Sequence, residues 1–104
     1  MSVLVEFAMF PTDKKGNSAS PYVSKVIKMI KESGTPYTLG AMGTTFETNT
    51  IEEANDLIAR SYKVLEPVSE RVYTIIKMDI RKGAQNRLSG KIASIEKIIG
   101  PVNH

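Results

Sequence analysis

A chain of 104 residues, 41% hydrophobic and 24% charged, fits one domain with one core, able to fold without metals or disulfides. The absence of cysteine excludes disulfide scaffolds, thiolate zinc sites and Cys nucleophiles, and fits a reducing, cytoplasmic compartment. Fourteen basic and eleven acidic residues give a net charge of +3 without a block of like charges, which describes a mixed solvated surface rather than a nucleic-acid footprint.

No basic leader followed by an apolar stretch opens the chain, and no apolar run approaches the ~18 residues of a membrane span, so neither secretion nor membrane insertion is expected. His104, the one histidine, is the last residue and a poor ligand or base.

Residues 2–10, SVLVEFAMF, are nearly continuously apolar, with Glu6 the only charge, and predict a strand in the middle of a sheet. Pro11 ends it, and PTDKKGNSAS forms a polar loop. Ser20 followed by Pro21 predicts a helix with Ser20 as its N-cap, an inward stripe of Tyr22, Val23, Val26, Ile27 and Ile30, and Gly34 as its stop.

In TPYTLGAMGTTFET, Tyr37 and Leu39 alternate with Thr38, Gly40 to Gly43 permit the torsions of a reversal, and Thr44, Thr45 and Phe46 resume an extended chain, which predicts a β-hairpin. Thr50 and Glu53 have capping-box spacing ahead of a second helix carrying Ile51, Ala54, Leu57, Ile58, Ser61 and Leu65, closed at Glu66-Pro67.

Residues 71–80, RVYTIIKMDI, alternate Val72, Thr74, Ile76, Met78 and Ile80 with Tyr73, Ile75, Lys77 and Asp79, the pattern of a last strand. Leu88, Ile92, Ile95 and Ile99 predict a peripheral final helix, weakened by Gly90 and stopped at Gly100-Pro101.

The order β-α-β-β-α-β plus a C-terminal helix predicts an α+β, ferredoxin-like antiparallel sheet with its two principal helices on one face. The first and last strands carry apolar groups in both alternating sets, so the second face also needs cover. That pattern predicts subunits packed through their bare sheet faces, with the C-terminal helix sealing part of an edge.

Three stretches together, VEFAMFPTD, MGTTFET and RVYTIIKMDIRKG, resemble the thiamine-binding protein family, small cytoplasmic ferredoxin-like proteins once catalogued as uncharacterised. The resemblance covers nearly the whole chain. It implies a homotetramer of sheet-packed dimers that binds thiamine or its hydroxymethylpyrimidine portion as a ligand, with no turnover and no other cofactor. Where the family commonly continues the hairpin strand with Glu-Gly, this chain has Glu47-Thr48.

Thiamine presents a cationic thiazolium, an aminopyrimidine edge of donors and acceptors, and a hydroxyl, so a binder needs a carboxylate or aromatic wall, apolar flanks and directed hydrogen bonds. Glu47 is the candidate carboxylate, Thr45 and Thr74 the candidate hydroxyls, and Phe46, Tyr22 and Tyr37 the candidate ring faces. Against these, threonines suit strands for their β-branching alone, and Phe46 and Tyr22 equally suit a core. Glu6 reads first as half of a cross-strand ion pair with Lys77 or Arg71, and second as a carboxylate facing a subunit-interface pocket. Ser18 and Ser20 stand where a polar ligand would meet the first helix, although capping accounts for Ser20.

Catalysis lacks an internal His, a Cys, metal-ligand spacing and a phosphate-binding glycine loop. RNA binding lacks the RNP-like pattern, and Phe7 and Phe10 fall on opposite strand faces. The alternative to a ligand binder is a structural or regulatory oligomer without a small-molecule ligand.

Overall fold

The computed structural model describes residues 1–16 and 18–104. The chain runs β1 (Ser2–Pro11), α1 (Ser20–Ser33), β2 (Tyr37–Leu39), β3 (Thr44–Thr48), α2 (Ile51–Leu65), a 3-10 turn (Glu66–Val68), β4 (Val72–Arg81) and α3 (Arg87–Ile99). The four strands form one antiparallel sheet in the order β2-β3-β1-β4, the ferredoxin-like arrangement expected from the sequence.

β1 lies at the centre, as its apolar run requires. Its register sets Val5 between Phe46 and Met78, and Glu6 between Thr45 and Lys77. Since side chains alternate along a strand, Val3, Val5, Phe7 and Met9 share one sheet face with Thr44, Phe46 and Thr48. α1 and α2 cover that face, burying Val26, Ile30, Ala54, Leu57 and Leu65 against it. Phe46 is fully buried and meets Phe7 edge to face, with ring centroids 5.7 Å apart.

The helix ends follow local chemistry. Thr50 Oγ1 accepts the Glu53 N–H at 3.1 Å, the expected N-cap bond of α2. α1 ends at Gly34, whose φ of 78° closes the helix in the left-handed region. At the start of α1 the N-cap is Ala19, not Ser20: Ser20 lies inside the first turn, and its N–H is accepted by Ser18 Oγ at 3.2 Å. Pro21 fixes the first turn, so the helix begins there without a side-chain cap.

The glycines of the hairpin work by close approach, not by unusual torsions. Neither Gly40 nor Gly43 has a positive φ. A Cβ on Gly40 would lie 2.8 Å from the Gly43 carbonyl oxygen, and one on Gly43 would lie 3.2 Å from the Phe7 carbonyl oxygen and 3.4 Å from Glu6 Cγ. The Gly40 N–H donates to the Gly43 carbonyl at 2.9 Å and closes the turn.

α3 corrects a second expectation. Its N-terminal end packs on β1 and β3, the two central strands, at Ser2 and Glu47, so it is anchored on the sheet face opposite α1 and α2 instead of sealing an edge. None of its residues is fully buried. The rest of that face stays open: Tyr73 and Ile75 are each 51% exposed there. The outer strand β4 also leaves Ile76 and Ile80 exposed on the helix side.

Phe46→Ala, which empties the centre of the core, should lower the unfolding free energy by about 3–5 kcal/mol, read as a fall in the urea midpoint.

Candidate functional site

The open sheet face gathers the groups best placed to meet a ligand. Glu6, Thr45 and Lys77 form one row across β1, β3 and β4. Glu6 Oε1 accepts from Lys77 Nζ at 2.8 Å, with side chains 50% and 73% exposed, so the expected cross-strand ion pair forms, with Lys77 as the partner. Thr45 borders the same shallow cavity of about 290 Å³, with Leu4 and Asp79. Farther along the face, Phe10 and Tyr73 stand opposite one another, ring centroids 5.8 Å apart and tilted 43°. Ala8 lies between Glu6 and Phe10 on the same face of β1 and leaves a low floor there.

Glu47 is also on this face, but its oxygens are occupied. Oε2 accepts the Ser2 hydroxyl and the Arg87 N–H, the latter at 3.1 Å, while Oε1 accepts the Leu88 N–H at 3.0 Å. The carboxylate thereby caps the N-terminus of α3 from another strand. Arg87 reinforces the clasp: its guanidinium donates to Ser2 Oγ at 3.0 Å, to the Ser2 carbonyl at 2.9 Å, to Asp79 Oδ2 at 2.8 Å and to the Asp79 carbonyl.

α3 needs this help because Asn86, at φ 55°, supplies no side-chain cap. Partial burial pushes the Glu47 carboxyl up, yet the hydrogen bonds from Ser2, Leu88 and Arg87, with the Arg87 charge, outweigh that and hold it below its ordinary 4.5.

The remaining expected site residues fall elsewhere. Phe46 is wholly within the core and has no surface to offer a ligand. Thr74 pairs with Met9 and shares the helix-side face, opposite Glu6 and Thr45. Ser18 and Tyr22 border a separate cavity of about 170 Å³ with Lys14 and Lys15, where Lys14 Nζ stands 5.9 Å from the Tyr22 ring centroid. Ser20 and Tyr37 line a third region along α1. Glu6 and Thr45 are thus brought together on the open sheet face, and Ser18 and Tyr22 at the separate cavity.

Ser2, Arg87 and the pairing of Asp79 with Arg87 escaped sequence reading. The sequence offers Asn86, a favoured N-cap residue, directly before the helix, but at φ 55° its side chain caps nothing, so no sequence signal pointed to an acceptor from another strand. Among the described residues no group of His, Cys, Asp and Glu is arranged to hold a metal ion, and no helix is long and apolar enough to cross a membrane.

Glu47→Gln should speed amide exchange along residues 87–99 relative to the sheet, with a loss of about 0.5–2 kcal/mol typical for a missing N-cap acceptor. In the wild type, the depressed carboxyl stabilises the folded state fully above its unfolded value and loses that contribution as pH falls below 4.5 through its folded value. α3 protection should decline over that acidic range in the wild type, and the Glu47→Gln variant should lack that step.

Comparison with known proteins gives a consistent pattern. Residues 5–96 match the model of the thiamine-binding protein family. The UPF0045 protein Mb1933 of Mycobacterium bovis is 30% identical over 99 residues, which are 95% of this chain and 96% of that protein. The structure of the hypothetical protein MJ1052 of Methanocaldococcus jannaschii superimposes with a TM-score of 0.77 at 30% identity, covering 93% of this chain and 98% of that one. A Thermotoga maritima protein whose name ties it to thiamine biosynthesis or salvage has the same fold, with a TM-score of 0.77 at 22% identity over 91% of this chain and 99% of that one. With residues 5–96 matched by the family model and a relative 30% identical over nearly its whole length, this chain belongs to the thiamine-binding protein family.

Proposed function

We propose that this protein binds thiamine, or its hydroxymethylpyrimidine moiety, without turning it over, as a cytoplasmic homotetramer built from sheet-packed dimers. The carrying observation is the Glu6 carboxylate, half-exposed on the open sheet face of a chain in the thiamine-binding family. Thr45 beside it supplies a hydroxyl, and Phe10 with Tyr73 supplies ring surface for the pyrimidine or the thiazolium.

The Glu6–Lys77 pair suits a cation exchange. An exposed ion pair contributes about 0–1 kcal/mol, so a thiazolium displaces the Lys77 ammonium from Glu6 at small cost. Lys77, on a flexible stem, is free to swing into water. Glu47 acts here at one remove, by holding α3 against the sheet beside the site.

Self-association follows from the same face. Tyr73 and Ile75 are exposed side by side with half-buried Leu4, Ala8 and Phe10, an apolar surface that a second copy would cover and that would wall the ligand off from water. The competing reading, a structural or regulatory oligomer with no small ligand, draws on Glu47, whose oxygens are already taken by α3 and Ser2.

Calorimetric titration with thiamine, its phosphates and hydroxymethylpyrimidine separates these readings. Binding in the wild type, weakened about tenfold or more by Glu6→Gln and strengthened by Lys77→Met, supports the proposal. An absence of heat with every ligand removes it in favour of the ligand-free oligomer. Light scattering should give four times the 11.5 kDa chain mass, and Ile75→Asp should lower that mass. A wild-type monomer would overturn the assembly.

A further inference from the structure

A second concave region lies on the helix side, between α1 and the β2–β3 hairpin, away from the row formed by Glu6, Thr45 and Lys77. Two cavities, of about 270 and 670 Å³, share Val23, Ile27, Leu39 and Gly40 as lining and so make one trough along α1. The inner end is walled by Phe7, Met9 and Val26 from the helix side and by Ala8 and Phe10, which it shares with the open sheet face, and carries no charged side chain among the described residues. At the outer end the charged groups among the described lining residues are Lys28 and Lys31.

Glu32, the nearest acid on α1, reaches Lys28 only at 4.0 Å, with both side chains more than two-thirds exposed at 77% and 67%, and does not line the trough. Leu39 and Met42 flank the trough with 60% and 93% of their surface in water, apolar area that gains from being covered.

We propose that this trough binds a soluble anionic amphiphile, a single apolar chain ending in a carboxylate. The uncharged inner end accepts the chain and rejects any ion, because a charge there would lose its water without a partner. The two ammonium groups at the outer end attract an anion and repel a cation. Concavity and an inner volume near the lower end of the roughly 300–1,000 Å³ range of small-molecule sites suit one dispersed chain, not a flat bilayer. The selectivity is the reverse of that proposed for the open sheet face, where a carboxylate awaits a cation, so the two sites are separable by ligand charge.

Titration with decanoate, decanol and decyltrimethylammonium, all below their aggregation concentrations, tests this. Decanoate should bind saturably at one per chain, decanol more weakly, and the ammonium not at all. The double variant Lys28→Glu/Lys31→Glu should lower decanoate affinity about tenfold or more while leaving decanol unchanged. Leu39→Asp, at an exposed edge-strand position compatible with folding, should weaken both. Thiamine titrations should be unaltered in every variant.

Two results would overturn the proposal: no saturable decanoate binding, or equal binding of the ammonium. In the first case, a Leu39→Asp variant that loses oligomer mass would give the trough to a second copy of the chain.

Discussion

A central strand with apolar side chains on both faces needs two covers, and this chain makes only one complete cover for itself. α1 and α2 bury Val3, Val5, Phe7 and Met9 on one face. On the other, α3 reaches only the end near Ser2 and Glu47, leaving a strip from Glu6 to Phe10 and Tyr73 uncovered. The location of the polar row, the exposure of Ile75 and the anchoring of α3 all follow from that imbalance.

The open face is graded along its length. Toward α3 it is held by a network in which the Arg87 guanidinium meets oxygens of Ser2 and Asp79 and the Arg87 N–H meets Glu47. At its middle an exposed ion pair bridges two strands, and beyond Ala8 it becomes aromatic. The proposed binding of a cationic ring joined to an aromatic ring draws on that change from carboxylate to aromatic along the face. Gly43 belongs to the same arrangement, since its bare Cα lets the hairpin lie against the Glu6 side chain.

Much of the fold was legible because period and punctuation agreed. Period-two alternation placed Val72 to Ile80, the Thr50–Glu53 spacing placed the start of α2, and Gly34 and Gly100 ended their helices as expected. The site was less legible. Glu47 and Glu6 both look like lone carboxylates in strands, and only strand register together with the path of α3 separates the one that caps a helix from the one that faces solvent. Phe46 and Thr74 lie on the face away from Glu6 and Thr45 for the same reason: which face a strand residue takes is decided by pairing, and a shift of one position reverses it.

The borrowed cap of α3 also bears on the order of assembly. Thirteen residues with an interior glycine and no acceptor of their own at the N-terminus form a poor helix in isolation. Ser2 and Glu47 come together only when β1 has paired with β3, so the last helix can settle only on a sheet that has already found its register. The borrowed cap thus ties the local stability of the last helix to correct pairing of β1 with β3.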